Sequence, residues 1–378
     1  MTRRASIYLS LAVLVVCLGG RHAWGLSRQP ADSGPASSAG ASDINVVAMP
    51  VVFYTPETRW AGGAAALISF WPASRRDRAR PSTLTVYSVY TELSQFQVEL
   101  EPALYFSDED YLLRGNLIFE RYPNKYWGFG NDTPELYETD YTPRRFSLEA
   151  SFQKRVLAEQ NLYIGLQYQY EHVSVLKAQE DGPLPFNEAP GKAGGAVSGL
   201  GFILNWDTRD HIFIPSRGNY FQVSMSINAK ALGGDYSYTS LKADLRKFWP
   251  GLAATHVLGV QVLYQSVVGG EAPFYRYAKL GGDSIMRGYY GGRYRDRHLL
   301  AFQAEYRLPV WGKFGLVGFA GLGRVAPTLG GLDFSGLKYS AGLGIRFKIA
   351  PREGANLRVD WAFGQATSGV YFTAGEAF

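Results

Sequence analysis

The residues best suited to chemistry lie between Leu280 and Arg297, a stretch rich in arginine, tyrosine and glycine without strand or helix periodicity. A guanidinium group binds a carboxylate through two parallel hydrogen bonds, and such a pair is strong where water is partly excluded. Arg287 is the candidate for this chemistry. The candidate lumen partners in later segments are the carboxylates Glu305 and Asp360, together with Arg307, which could extend the network. A phosphate-binding loop is not predicted, because no Lys-Ser/Thr pair follows the glycines.

Patterns typical of enzymes and metal sites do not occur in the sequence. The five histidines are scattered, Cys17 is the only cysteine, and neither an HExxH nor a GxSxG motif is present. A serine hydrolase with His172 or His256 as its base would have to assemble from distant segments, and the spacing does not favour it. We predict no catalytic residues, no cofactor and no metal site.

Directly after this stretch, apolar and polar residues alternate. Even-numbered residues from 300 to 308 are apolar or tyrosine, whereas Gln303, Glu305 and Arg307 fall between them. The same period of two recurs near residues 96, 162, 241, 339 and 357. Past the N-terminal leader no window approaches the roughly 20 apolar residues of a membrane helix. Aromatic residues nevertheless make up 15% of the chain. We predict an all-β fold, a transmembrane antiparallel β-barrel with apolar residues facing lipid and charged residues facing the lumen.

Alternating segments and turn residues predict about sixteen strands, with fourteen as the alternative. The predicted strands begin near residues 46, 61, 82, 94, 111, 143, 160, 195, 218, 235, 252, 298, 313, 336, 354 and 368. Connections from odd to even strands are long and most of the others are short, as in outer-membrane barrels. The longest connection, residues 267–297, contains Arg287 and is predicted to be extracellular.

The N-terminus has the pattern of a secretory signal peptide over residues 1–25, with Arg3 and Arg4 before an apolar segment. Residues 26–44 are rich in Ser, Ala, Gly and Pro and are predicted to form a flexible linker. Residues 45–378 are assigned to the barrel. Removal of a leader containing three arginines lowers the formal charge from +5 to +2, which does not favour nucleic-acid binding.

Three segments resemble the BamA/TamA family of outer-membrane proteins, the bacterial surface-antigen superfamily. The first is Met286-Arg287-Gly288-Tyr289, with its spacing to residues 293–296 and to Glu305-Tyr306-Arg307. The second is a turn motif that contains Asp207, Arg209, Asp210 and Gly218. The third is the C-terminal segment with Phe372, Gly375 and Phe378, which is predicted to be an alternating strand ending on the terminal phenylalanine. It resembles the signal by which barrel-assembly machinery recognises its clients.

The resemblance implies a location in the cell outer membrane and a loop, residues 267–297, folded into the lumen and pinned by Arg287. It also implies insertion or translocation of polypeptides, with the lipid bilayer, the barrel-assembly machinery and a periplasmic adaptor or polypeptide substrate as partners. Two departures are evident. No POTRA-like module is predicted between leader and barrel, and Phe319-Ala320-Gly321 lacks the aspartate that the family often has there. The alternatives are a passive or gated pore and a structural surface barrel without transport.

Overall fold

The computed structural model describes residues 43–55, 59–71, 80–179, 186–350 and 355–378. Sixteen long strands form one antiparallel meander, in which each strand pairs with its neighbours along the chain. These strands are β1 (Asp43–Thr55), β2 (Arg59–Trp71), β3 (Ser82–Thr91), β4 (Phe96–Phe106), β5 (Tyr111–Arg121), β6 (Thr139–Leu157), β7 (Leu162–Ala178), β8 (Gly194–Asp207), β9 (Gly218–Asn228), β10 (Ser237–Pro250), β11 (Val257–Glu271), β12 (His298–Trp311), β13 (Phe314–Ala326), β14 (Lys338–Ala350), β15 (Ala355–Gly364) and β16 (Thr367–Ala374).

Shorter elements lie in the connections. Three short strands are Asn124–Tyr126, Ala278–Leu280 and Tyr294–Asp296, and the 3-10 helices are Glu135–Tyr137, Phe186–Glu188, Lys230–Leu232, Phe274–Arg276 and Leu329–Gly331. Within the described ranges, none of the helices has the length and apolar character needed to cross a membrane.

The predicted all-β class and the count of sixteen strands are confirmed. Each strand begins within a few residues of its predicted start, because the period-two pattern persists along most of its length. The predicted leader, 1–25, and the linker as far as residue 42 lie outside the described residues. β1 begins at Asp43, so the last two residues of the predicted linker belong to the first strand.

Side chains alternate between two unlike faces of the sheet. On β12, the Glu305 side chain is fully buried, whereas Phe302 is 41% exposed on the opposite face. On β14, Arg346 is buried and Leu343 is 72% exposed. The exposed face is therefore apolar and the buried face charged, which is the distribution expected of a sheet with lipid outside and a polar lumen inside.

The connection between β11 and β12 packs against the charged inner face. Leu280, Met286 and Tyr289 from this connection form a buried cluster with Leu299 of β12 and Val325 of β13. The stretch was expected to lack strand structure, but its two ends form a short antiparallel hairpin in which Ala278–Leu280 pairs with Tyr294–Asp296. Three residues a side are too few to produce a recognisable period of two.

The lipid-facing assignment predicts a specific cost for charge on the outer face. Leu343→Arg near the middle of β14 should lower the free energy of unfolding by about 2–4 kcal/mol, because a cation near the bilayer midplane is poorly solvated. Urea unfolding of the protein folded into phosphatidylcholine vesicles measures this difference. Leu343→Met, which retains an apolar side chain, is the control and should unfold close to the wild-type midpoint. Equal midpoints for all three proteins would contradict the assignment.

Candidate functional site in the barrel lumen

Arg287 lies at the tip of the β11–β12 connection and bridges two strands of the inner wall. Its Nη1 donates to Oδ2 of Asp360 on β15 at 2.5 Å, and its Nη2 donates to Oε2 of Glu305 on β12 at 2.8 Å. The side chains of all three residues are fully buried. Glu305 and Asp360 were the candidate partners in the sequence, and the guanidinium contacts both carboxylates at once.

An aromatic ring lies beneath the same guanidinium. The carbon at its centre is 3.5 Å from the centroid of the Phe319 ring on β13. A cation over an aromatic face is stabilised by the negative potential of the ring. The strand in which the sequence lacks the expected aspartate therefore contacts Arg287 through Phe319, and Asp360 supplies a carboxylate from β15.

The charged cluster extends beyond Arg287 along the inner wall. Arg346 donates from Nη1 to Oδ1 of Asp360 at 2.5 Å and from Nε to Oε2 of Glu376 at 2.7 Å. Arg307 donates from Nε to Oε1 of Glu305 at 2.8 Å. Each carboxylate near Arg287 thus contacts further arginines, so the buried charges compensate one another.

Sequence reasoning missed three members of this cluster. The alternation near residues 339 and 357 places Arg346 and Arg358 on the polar face of their strands, but the sequence did not predict that they contact Asp360. Glu376 was not predicted to belong to the site. Arg358 donates to Oγ1 of Thr373 at 2.6 Å and to the backbone oxygen of Asp283 in the loop at 3.0 Å. The period of two places Arg346 and Arg358 in the lumen, but only the strand register brings them beside Asp360.

The backbone around Arg287 fits closely against β15 and β16. Met286 and Gly288 have φ values of +52° and +106°, and a β-carbon on Gly288 would lie 2.7 Å from the backbone carbon of Phe363. Glycine is therefore required here for close approach as well as for its backbone conformation. The Gly288 amide donates to the Tyr371 hydroxyl at 2.8 Å, and the Tyr289 hydroxyl donates to the Tyr339 carbonyl at 2.8 Å.

The other arginines of the loop contact different parts of the barrel. Arg293 donates to the side-chain and backbone oxygens of Thr133, both at 2.8 Å. Arg295 donates to the Lys125 carbonyl at 3.0 Å, and Arg297 to the Gly270 carbonyl at 3.2 Å. Arg293 and Arg295 thus contact the β5–β6 connection, whereas Arg297 contacts the end of β11 at the base of its own loop, and these three side chains do not join the Arg287 cluster.

The turn motif forms the connection between β8 and β9. Asp207 accepts from Nε and Nη2 of Arg209, both at 2.9 Å, and Asp210 accepts from the amides of Ser216 and Arg217. Burial alone would raise the pKa of Asp210, but the Ser216 hydroxyl and these amides outweigh it and lower the pKa below its usual value. Gly218, with φ +105°, begins the next strand.

The C-terminal segment differs from the expected strand. β16 ends at Ala374, Gly375 adopts φ +84°, and the last residues turn into the lumen. There Phe378 is buried against Phe248 of β10, with ring centroids 6.1 Å apart, whereas Phe372 remains on the exposed face. The prediction that the alternation continues to Phe378 is wrong, because the positive φ of Gly375 interrupts it.

No group of histidine, cysteine or carboxylate side chains suited to a metal ion occurs among the described residues. Comparison with curated protein sequences gives no match. Residues 87–378 match the Omp85 superfamily domain. This is a family of membrane transporters and insertases, not of enzymes.

Two solved structures share the fold. One is BamA from Haemophilus ducreyi lacking POTRA domains 1–3, with a TM-score of 0.56, 15% identity, and coverage of 89% of this chain and 69% of that one. The other is CdiB from Acinetobacter baumannii, with a TM-score of 0.56, 11% identity, and coverage of 89% of this chain and 65% of that one. The chain thus spans about two thirds of the length of each. With the family domain matched over most of the sequence, the chain belongs to the Omp85 superfamily of outer-membrane β-barrels.

Proposed function

We propose that this barrel inserts or translocates polypeptides at the outer membrane, with the β11–β12 loop held in the lumen by Arg287. Membership of the Omp85 superfamily supports the insertion or translocation of polypeptides. The observation that supports a loop held in the lumen is the fully buried Arg287, which bridges Glu305 and Asp360 on strands that are not neighbours. Export through a cleaved signal peptide, residues 1–25, belongs to the same proposal.

The loop is the part of the barrel that such a function would have to control. Met286, Tyr289 and Leu280 are buried with it, so its displacement would expose apolar surface as well as break ion pairs. Separating Arg287 from its partners leaves buried carboxylates with less compensation, which costs about 3–5 kcal/mol for typical buried pairs. A loop held this firmly keeps the lumen closed until a substrate or partner supplies competing interactions.

The periplasmic end of the barrel offers contacts for a partner or substrate. Arg307 donates to the Phe378 carbonyl oxygen at 2.9 Å and to the Pro215 carbonyl at 3.4 Å. The final residues and the β8–β9 turn therefore meet the Arg287 cluster through one side chain. We propose that Phe372, Gly375 and Phe378 serve the barrel-assembly machinery before folding, and that a periplasmic adaptor delivers polypeptides to this end afterwards.

A gated pore is the second candidate, and the polar lumen favours it. A cavity of about 500 Å³ lies on the inner side of β5 to β11 and is lined by side chains such as Gln167, Gln222 and Ser224. Conductance in planar bilayers before and after deletion of residues 284–296 distinguishes a pore from a barrel with no transport. A large, stable increase after deletion is expected if the loop obstructs the lumen.

Arg287→Ala tests the pin directly. The variant should show more frequent channel openings in planar bilayers and faster protease cleavage between residues 284 and 296, because the loop tip loses both carboxylate contacts. Arg287→Lys should show an opening frequency and a cleavage rate between those of the wild type and Arg287→Ala, because an ammonium group cannot form the paired guanidinium contacts.

The matched control is Arg297→Ala, which removes the same type of side chain from the end of the same loop. Within the described ranges, the Arg297 side chain contacts the Gly270 carbonyl and the face of Tyr277. It should retain wild-type conductance and protease resistance. Wild-type behaviour of Arg287→Ala in both measurements would rule out the pin.

Insertion activity is testable with liposomes that contain the purified barrel. An unfolded outer-membrane β-barrel added to them should acquire heat-modifiable migration several-fold faster than with protein-free liposomes, because the barrel lowers the barrier to insertion. Liposomes that contain an unrelated porin are the control for bilayer defects. Equal rates with and without the barrel would exclude unassisted insertase activity and leave the pore as the better account.

A further inference from the structure

The lumen cavity beside β5 to β11 has a predominantly basic lining. Its cations are Arg114, Arg145, Lys242, Arg276 and Lys279, and its carboxylates are Glu149 and Glu171. Glu120 contacts Arg145 at 2.8 Å and is a third carboxylate close by. The lining itself therefore contains five cations and two carboxylates, an excess of positive charge. Glu99 and Glu101, which accept hydrogen bonds from the lining residue Asn116, lie outside it as Glu120 does.

The carboxylates are already engaged by arginines. Arg276 approaches Glu171 at 2.6 Å through Nε and Glu149 at 3.6 Å through Nη1, and Arg145 lies 3.5 Å from Glu171. Nη2 of Arg276 is buried and has no hydrogen-bond acceptor among the residues that the structure describes. In the described part of the chain, no carboxylate lies within 4 Å of Lys279. The cavity thus has positively charged donors that its own acids do not satisfy.

Lys279 also lies directly opposite a further cation, Arg295, which is not part of the cavity lining. Lys279 pairs with Arg295 across the short hairpin in the loop, an arrangement that destabilises a pair of strands. Arg295 is only 1% exposed and is held by the carbonyls of Lys125 and Gly292 and by the Tyr126 ring, 5.0 Å away. Departures from such local rules are expected at functional sites, and an anion bound beside Lys279 would offset the repulsion between these two cations.

We propose that this cavity binds small oxyanions, with Lys279, Arg276 and Arg145 as the groups that contact them. Ammonium and guanidinium groups are the usual protein partners of sulfate, phosphate and phosphate esters, and rings of Arg and Lys select anions in pores. The neutral amides and hydroxyls of Gln167, Gln169 and Ser226 complete a hydrophilic lining. Anion binding by this cavity is a property of the lumen alone and does not depend on polypeptide insertion.

The charge of Lys279 adds a pH dependence. Burial lowers the pKa of this loop residue to about 7, and Arg295, Arg145 and Arg276 contribute to the lowering while Glu171 opposes it. The side chain is therefore mainly protonated at pH 6 and mainly neutral at pH 8. Anion affinity should decrease over this interval as the positive charge is lost.

Sulfate is the suitable probe, because its own charge is constant between pH 6 and pH 8. Isothermal titration of the full-length barrel in neutral detergent should show saturable sulfate binding that weakens about tenfold at pH 8, the effect of losing one charge contact of about 1.4 kcal/mol. Lys279→Gln should bind weakly at both pH values. Lys279→Arg, which keeps its charge, should bind at both.

Lys313→Gln is the control, because it removes one lysine charge from the exposed turn between β12 and β13. It should bind sulfate as the wild type does, and heat-modifiable migration verifies that each variant is folded. Equal affinity of wild type and Lys279→Gln at pH 6, or the absence of saturable binding by the wild type, would overturn the proposal. Retained pH dependence in Lys279→Arg would likewise refute the role of Lys279.

Discussion

A guanidinium buried away from water requires carboxylates around it, and this requirement determines where the β11–β12 loop lies. Arg287 satisfies it by contacting Glu305 on β12 and Asp360 on β15, and the Phe319 ring of β13, one of the two strands between them, lies beneath it. Because leaving a buried charge unpaired costs several kcal/mol, the loop tip has few alternative positions. The close contact of Gly288 with β15 follows from this placement.

The same constraint explains why the inner wall carries a network and not isolated pairs. Every strand of a barrel presents half its side chains to a narrow lumen, so several charges must share a small volume. Arg346 lies between Asp360 and Glu376, and Arg307 joins Glu305 to the Phe378 carbonyl oxygen. The C-terminal residues and the loop tip therefore contact one continuous set of charges.

Most of the barrel could be predicted from the sequence, because its dominant signal is local. The alternation around Glu305 fixes which residues face the lumen, and turn residues fix where strands end. The membership of the charged cluster could not be predicted, because it depends on strand register. Arg346 and Asp360 are adjacent because of the register in which β14 pairs with β15. Phe378 was placed on a strand because its residue type fits the alternation, whereas Gly375, by adopting positive φ, ends the strand before it.

The loop is anchored on opposite sides of the lumen by different residues. Its tip is bound to β12 and β15 through Arg287, while its root is bound to β6 and β7 through the contacts of Arg276 with Glu149 and Glu171. In the function proposed above, a displacement that breaks the contacts of Arg287 would leave the root attached, so that the tip could move while the loop stayed in the barrel. Because Arg276 and Lys279 belong to that root, the proposed anion binding and the proposed loop displacement involve the same few residues.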